Sequence, residues 1–138
     1  MPEPAGVHGL LDTSVVIDLG TLDRSELPNR ISIAAITMAE LAAGPHATSD
    51  PAERARRQDL LQRSESTFDP LPFDADAARA YGRIYASVVA AGRKAGGRRA
   101  VDLLIAATAL AHNLPLYTRN PDDFAHLDGV SIVPVGLT

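Results

Sequence analysis

Four acidic positions in this 138-residue chain stand where an apolar run begins or ends: Asp12, Glu40, Asp102 and the neighbouring pair Asp122–Asp123. Each has an ordinary local explanation. Asp12 follows Leu10-Leu11 and is placed to cap a helix beginning at Thr13. Glu40 completes Thr37-Met38-Ala39-Glu40, the spacing of a capping box. Asp102 opens an apolar helical run and complements a helix dipole there. Asp122 and Asp123 follow Asn120-Pro121, a turn signal in which an aspartate caps well.

Taken together, the same residues describe a chemistry. Three carboxylates brought within about 6 Å of one another repel by about 3 kcal/mol per pair at an effective dielectric of about 20. Such a cluster persists only around a cation, and a poorly solvated carboxylate such as Asp102 needs one in any case. The chain has no cysteine, and His8, His46, His112 and His126 lack ligand spacing. The donors are therefore hard oxygens, which select Mg²⁺ or Mn²⁺. Those ions bridge to phosphate oxygens, and the implied reaction is phosphodiester hydrolysis by metal-activated water.

The elements needed to position these groups alternate between short β-branched runs and helical patterns, which predicts an α/β domain with a mainly parallel central sheet. Strands are expected at Val7–Leu11, Ile31–Ile36, Leu114–Thr118 and Ser131–Pro134. Phe68–Pro72, with two prolines, reads as an edge strand or merely extended chain. Helices are expected at Thr13–Leu19, Thr37–Ala43 and from Asp50-Pro51 to about Ser64. A longer helix is capped by Asp74, with Tyr81, Ile84, Tyr85 and Val88 as its core stripe. Ala100–His112 is apolar nearly all round and reads as a buried central helix, and Pro121–Ala125 as a short one. In this pattern Asp12 falls at the carboxyl end of the first strand, the edge at which open α/β sheets bind ligands.

Composition narrows the function classes. A length of 138 residues without a repeat or linker predicts a single domain over residues 1–138, and 46% hydrophobic residues are enough for a core. The absence of cysteine excludes disulfides, thiolate metal sites and a Cys nucleophile, and fits a cytoplasmic protein. The amino-terminal stretch lacks a basic leader region and is interrupted by Glu3 and Asp12. The longest largely apolar run, Leu103–Ala111, is far short of the ~20 residues of a membrane span. The net charge of −4 argues against general nucleic-acid affinity. Its distribution does not: Arg93, Lys94, Arg98 and Arg99 crowd a glycine-rich stretch just before Asp102. That stretch is a candidate RNA contact, a dimer contact, or simply a solvated loop.

The segments Leu-Leu-Asp-Thr-Ser-Val-Val-Ile-Asp (10–18), Thr-Met-Ala-Glu-Leu (37–41), Asp-Leu-Leu-Ile-Ala-Ala-Thr-Ala-Leu-Ala (102–111) and Thr-Arg-Asn-Pro-Asp-Asp-Phe (118–124) resemble the four motifs of PIN-domain ribonucleases, in family order. The likeness is closest to VapC-type toxins of type II toxin–antitoxin systems. It spans nearly the whole chain, although residues 46–73 carry no motif. The resemblance implies a three-layer α/β/α domain and an endoribonuclease with Asp12, Glu40 and Asp102 at the core of a pocket for Mg²⁺ or Mn²⁺. It places the fourth acid at Asp123, with Asp122 as the neighbouring alternative. Thr13 and Ser14 match a hydroxyl position after the first aspartate, and Asn120 a polar site position. It also implies a homodimer and a cognate VapB-type antitoxin whose carboxyl-terminal segment reaches the pocket.

Three rival readings follow from the same residues. A receiver-like signalling module also holds Mg²⁺ with aspartates at strand ends, but needs a lysine after a late strand, and the sole lysine here is Lys94. An inactive PIN scaffold commonly lacks a core acid, and all three are present. A PIN nuclease of RNA maturation commonly carries an added RNA-binding domain, for which this chain has no room.

Overall fold

The computed structural model describes residues 7–137; residues 1–6, Glu3 among them, and Thr138 lie outside the described part of the expected 1–138 domain. Four short strands make one parallel sheet: β1 (His8–Leu11), β2 (Arg30–Ile33), β3 (Leu116–Thr118) and β4 (Ile132–Pro134), in the order β2-β1-β3-β4. β1 is central, with Leu10 opposite both Ser32 and Leu116, and Leu11 opposite both Ile33 and Tyr117. A central parallel strand is covered on both faces, which is why its residues read as an unbroken apolar run. Leu10 and Leu11 are both fully buried, but they point to opposite sides. Burying each contributes about 1.5–3 kcal/mol.

The helices are α1 (Thr13–Ile17), α2 (Ala35–Ala43), α3 (Pro51–Thr67), α4 (Ala75–Ala90) and α5 (Arg98–Ala111). On one face of the sheet, Leu10 and Leu116 pack with Ile84 and Val88 of α4 and with Leu103, Ile105, Ala106 and Ala109 of α5. On the other, Leu11, Ile33 and Tyr117 pack with Val15 and Val16 of α1, Leu41 of α2, and Leu60 and Leu61 of α3. The result is the expected three-layer α/β/α arrangement. Gly9 is required for close approach on the second face: a Cβ there would lie 2.4 Å from Cε1 of Tyr117.

Several boundaries differ from the sequence expectation, each for a local reason. The second strand stops at Ile33 instead of Ile36, and α2 begins at Ala35. The cap position of α2 is Ala34, with no side-chain cap, so Thr37 and Glu40 are the third and sixth helical residues and not a capping box. α5 begins at Arg98, not Ala100, after Gly97 turns the chain with φ of +68°. Asp102 is therefore in its second turn and does not open the helix. α1 ends at Ile17 and is followed by a 3-10 turn at Leu19–Thr21. The third strand starts at Leu116, two residues late, and Pro121–Phe124 is a 3-10 turn. α3 continues past Ser64 to Thr67.

The two expected aspartate caps hold. Oδ1 of Asp50 accepts from the Ala52 amide at 3.3 Å, and Oδ1 of Asp74 from the Ala77 amide at 3.0 Å, so both aspartates cap their helices. Extended chain at 68–72 makes a single parallel bridge, Leu71 to Ala34, outside β2. In the α4 stripe Ile84 and Val88 are buried and Tyr81 half-buried, but Tyr85 is 46% exposed and stacks obliquely against Tyr81. No helix among the described residues is long and apolar enough to cross a membrane.

Candidate active site: an acidic cleft at the carboxyl edge of the sheet

Where β1 ends, the chain turns into α1 at Asp12, and where β3 ends it turns toward the 3-10 segment at Asn120. These parallel strand ends lie side by side, because the Asp12 amide donates to the Tyr117 carbonyl at 2.8 Å. The adjoining cleft, of about 760 Å³, is lined by Asp12, Thr13, Ser14, Glu40, Arg98, Arg99, Asp102, Asn120 and Asp123, with Ile17 and Val101. The three acids placed at the core by resemblance, and Asp123 as the fourth, thus reach one cavity.

Asp12 is only 4% exposed. It occupies the cap position of α1, yet its side chain caps nothing: its carbonyl takes the amides of Val15 and Val16, at 3.0 and 3.3 Å. Its carboxylate is instead held by two hydroxyls. Ser14 Oγ donates to Asp12 Oδ2 at 2.8 Å, and Thr118 Oγ1 donates to the same oxygen at 2.9 Å. Each hydroxyl oxygen in turn accepts a backbone amide of the following loop, Ser14 from Arg119 at 3.2 Å and Thr118 from Asn120 at 3.0 Å. A hydroxyl that accepts from an amide donates more strongly. Both donations fall on Oδ2, so Oδ1 is the oxygen left to serve a ligand.

Glu40 stands at the rim on α2. Its Oε1 accepts from Thr13 Oγ1 at 2.5 Å, and Thr13 also lies 3.1 Å from the buried Thr37 hydroxyl. Thr37 thus contributes through Thr13, which is what its position three residues before Glu40 accomplishes. Loss of hydration raises the Glu40 carboxyl above its ordinary range; the Thr13 hydrogen bond opposes this, and the charge of Asp12 adds to it.

Asp102 carries the clearest electrostatic signature. Half-burial first, then the charges of Asp12, Asp123 and Glu40, push its carboxyl up to about 7 from 3.8, against a smaller opposing pull from Arg99. Three acids from three other segments therefore act on Asp102. Arg99 also fastens the far wall, donating from Nη1 to the Asp123 carbonyl at 3.3 Å.

The other expected residues divide cleanly. Asn120 lines the cleft and Asp122 does not, so of the two adjacent acids it is Asp123 that faces the carboxylates. Arg98 and Arg99 line the cleft from the first turn of α5, whereas Arg93 and Lys94, both exposed, do not. With Lys94 outside, the cleft lacks the lysine that a receiver-like site needs. Thr118 and Thr37 were not expected as site residues. Thr118 sits in the quoted motif at 118–124, and its fit as a strand-end hydroxyl beside Asp12 was visible only once β1 and β3 were paired.

The donor set suits a hard divalent cation: four carboxylates, and no nitrogen or sulfur ligand among the cleft residues. Among the described residues no three acids or histidines stand close enough to grip an ion unaided.

Comparison with known proteins bears on this geometry. The family model described as "PIN domain" matches residues 9–130. The chain is 38% identical over 130 residues to Ribonuclease VapC5 of Mycobacterium tuberculosis, covering 92% of this chain and 93% of the relative. It is 30% identical over 132 residues to Ribonuclease VapC of Rickettsia bellii, covering 93% and 96%. Among solved structures, a crystal structure of a member of the VapBC family of toxin–antitoxin systems, VapBC-5 from Mycobacterium tuberculosis, contains a chain that superposes with a TM-score of 0.82 at 39% identity, over 94% of this chain and 99% of that one.

Proposed function

The chain belongs to the PIN-domain family, and from that premise we propose that it is a VapC-type endoribonuclease that hydrolyses RNA phosphodiesters in the acidic cleft. The observation that carries this reading is the convergence of Asp12, Glu40, Asp102 and Asp123 on one cavity, with the charges of the other three felt at Asp102. Relatives that share nearly the full length bear the name ribonuclease VapC.

Asp12 through Oδ1, Glu40, Asp102 and Asp123 are the residues that would hold Mg²⁺ or Mn²⁺. When bound, such an ion activates water and offsets charge on the scissile phosphate. The protein's own part is positional. Ser14 and Thr118 lock the plane of the Asp12 carboxylate, Thr13 and Thr37 hold Glu40 at the rim, and Arg99 ties the Asp123 loop to α5. Thr13 and Ser14 are thus supports, Asn120 holds Thr118 through its backbone amide, and Asp122 is outside the metal set. Arg98 and Arg99 offset the negative potential that would otherwise turn RNA away.

The same reading assigns a cytoplasmic homodimer and a VapB-type antitoxin as partner. The relative of 0.82 TM-score is described as a member of a toxin–antitoxin family, which supports the antitoxin. A small gene immediately upstream of this one is the cheapest check of it.

The decisive experiment uses purified protein free of any antitoxin. RNA cleavage should require Mg²⁺ or Mn²⁺ and stop on addition of EDTA. Undiminished cleavage in EDTA would sink the carboxylate metal centre, and absence of cleavage under every metal would sink the nuclease reading.

A further inference from the structure

Beside the acidic cleft lies a second, smaller cavity of about 320 Å³, lined by Ser14, Ile17, Asp18, Arg119 and Asn120. Ser14, Ile17 and Asn120 line both cavities, so the two share a wall. Arg98 and Arg99 belong only to the larger one. The smaller cavity has its own cationic group in Arg119.

Arg119 is tied down incompletely. Nη1 donates to Asp18 Oδ2, a carboxylate that lines the same cavity. Nε is buried and has no partner among the described residues. The chain passes close to the guanidinium at Gly136, whose φ is +69° and where a Cβ would lie 3.2 Å from Nε and 3.5 Å from Nη2. The donors left to change partner are those of the two Nη atoms, one of which now serves Asp18. Arginine–carboxylate pairs are frequently bidentate, with two parallel bonds. Here a single contact joins side chains that are 34% and 40% exposed, and an ion pair so open to water is weak and easily exchanged.

The backbone of the same residue is already part of the catalytic geometry. The Arg119 amide donates to Ser14 Oγ, which donates to Asp12 Oδ2. The guanidinium is thus anchored one residue from both Thr118 and Asn120, at a fixed place relative to the carboxylate that faces the reacting phosphate. A planar fork of N–H donors at such a place matches a phosphodiester oxygen pair.

We propose that Arg119 is a substrate-positioning residue that binds the RNA phosphate adjoining the scissile one, exchanging Asp18 for the phosphate as the strand enters. Asp18 holds the guanidinium in register between substrates and keeps the cavity electrically neutral until then. This rests on the endoribonuclease reading above. It adds a second point of grip, in a cavity that Arg98 and Arg99 do not line.

The test measures binding of a labelled single-stranded oligoribonucleotide, with Ca²⁺ replacing Mg²⁺, across a salt series. Wild-type protein, Arg119→Gln, Arg119→Lys and Asp18→Asn are compared, with a melting curve for each. Loss of one phosphate contact should flatten the slope of log K against log salt by about 0.7 in Arg119→Gln. Its affinity should fall about tenfold, since a hydrogen bond to a charged group is of that order. Arg119→Lys should keep the slope and recover only part of the affinity. Asp18→Asn should bind more tightly than wild type, because the competing carboxylate is gone. Wild-type affinity and slope in Arg119→Gln would overturn the proposal. So would weakening in Asp18→Asn, which would make the pair a structural clasp; that arm decides the matter even if Arg119→Gln fails to fold. Wild-type cleavage of RNA in Mg²⁺ is run in parallel: its absence condemns the nuclease reading, whereas its presence with either overturning result condemns the Arg119 site alone.

Discussion

Thr118 reaches Asp12 across 106 positions of sequence, its hydroxyl donating to Oδ2 at 2.9 Å from the end of the neighbouring strand. That contact is buried, and the same hydroxyl takes the Asn120 amide. It fixes at once the orientation of the central carboxylate and the course of the loop that carries Asp123.

Thr118→Val keeps the shape of the side chain and removes both bonds. Leaving the Asn120 amide and one side of Asp12 unsatisfied should cost about 1–3 kcal/mol of stability. Metal affinity should drop by roughly 10–100-fold, the usual effect of losing a hydrogen bond that orients a metal ligand. Thr118→Ser should restore most of both. Calorimetric titration with Mn²⁺ and chemical denaturation measure the two effects, and unchanged metal affinity in Thr118→Val would show that Asp12 needs no such support.

The raised Asp102 carboxyl makes stability depend on pH in a stated direction. Its folded value of about 7 exceeds the ordinary 3.8, so the metal-free folded protein binds a proton that the unfolded chain has released. This contribution is complete below the unfolded value and is lost as pH rises through the folded one. Melting temperature in EDTA should therefore fall between about pH 5 and about pH 8, and Asp102→Asn should remove much of that slope. With metal present the proton competes for the site, so metal affinity should weaken toward acid pH. A metal-free protein that grows more stable from pH 5 to pH 8 would contradict the geometry around Asp102.

Substitution of the acids separates ligands from bystanders. Asp12→Asn and Asp102→Asn should each abolish cleavage and leave the metal-free fold intact or firmer, since each relieves repulsion within the cluster. Asp123→Ala should impair cleavage much more than Asp122→Ala, because only Asp123 lines the cleft. Cleavage assays with melting curves in EDTA test this. A large loss of melting temperature in both asparagine variants would restore Asp12 and Asp102 to purely structural roles.

The basic residues should divide in the same way. Replacing Arg98 and Arg99 together by alanine should flatten the salt dependence of single-stranded RNA binding by about 0.7 per lost contact. Replacing Arg93 and Lys94, which stand outside the cleft, should change the slope little. Equal effects from the two pairs would indicate diffuse attraction instead of contact at the cleft.

What could be read in advance, and what could not, follows from how far each residue's partners lie along the chain. Leu10-Leu11-Asp12 announces a buried strand and its charged end by adjacent residues alone. The start of α2 did not announce itself, since Ala34 and Ala35 carry no capping side chain and Thr37-x-x-Glu40 imitates a start two residues later. Gly97 marked the true beginning of α5, but the three glycines of that region made the break look longer than it is. Periodicity grouped Tyr85 with Ile84 and Val88 on one side of α4, yet it carries no information on where the buried width of that side ends. The pairing of Thr118 with Asp12 depends on a parallel crossover between strands, and no local pattern encodes such a partner.

The order β2-β1-β3-β4 also sets when the activity can come into being. During synthesis β1, β2 and α2 are made first, and with them Asp12 and Glu40. The wall made by Thr118, Asn120 and Asp123 arrives only after α3, α4 and α5 have been made, and it must insert beside a strand that has waited more than a hundred residues for its second neighbour. Contacts so distant in sequence form late and slowly. A nascent or truncated chain ending before β3 therefore bears the amino-terminal acids without the strand and loop that complete the cleft.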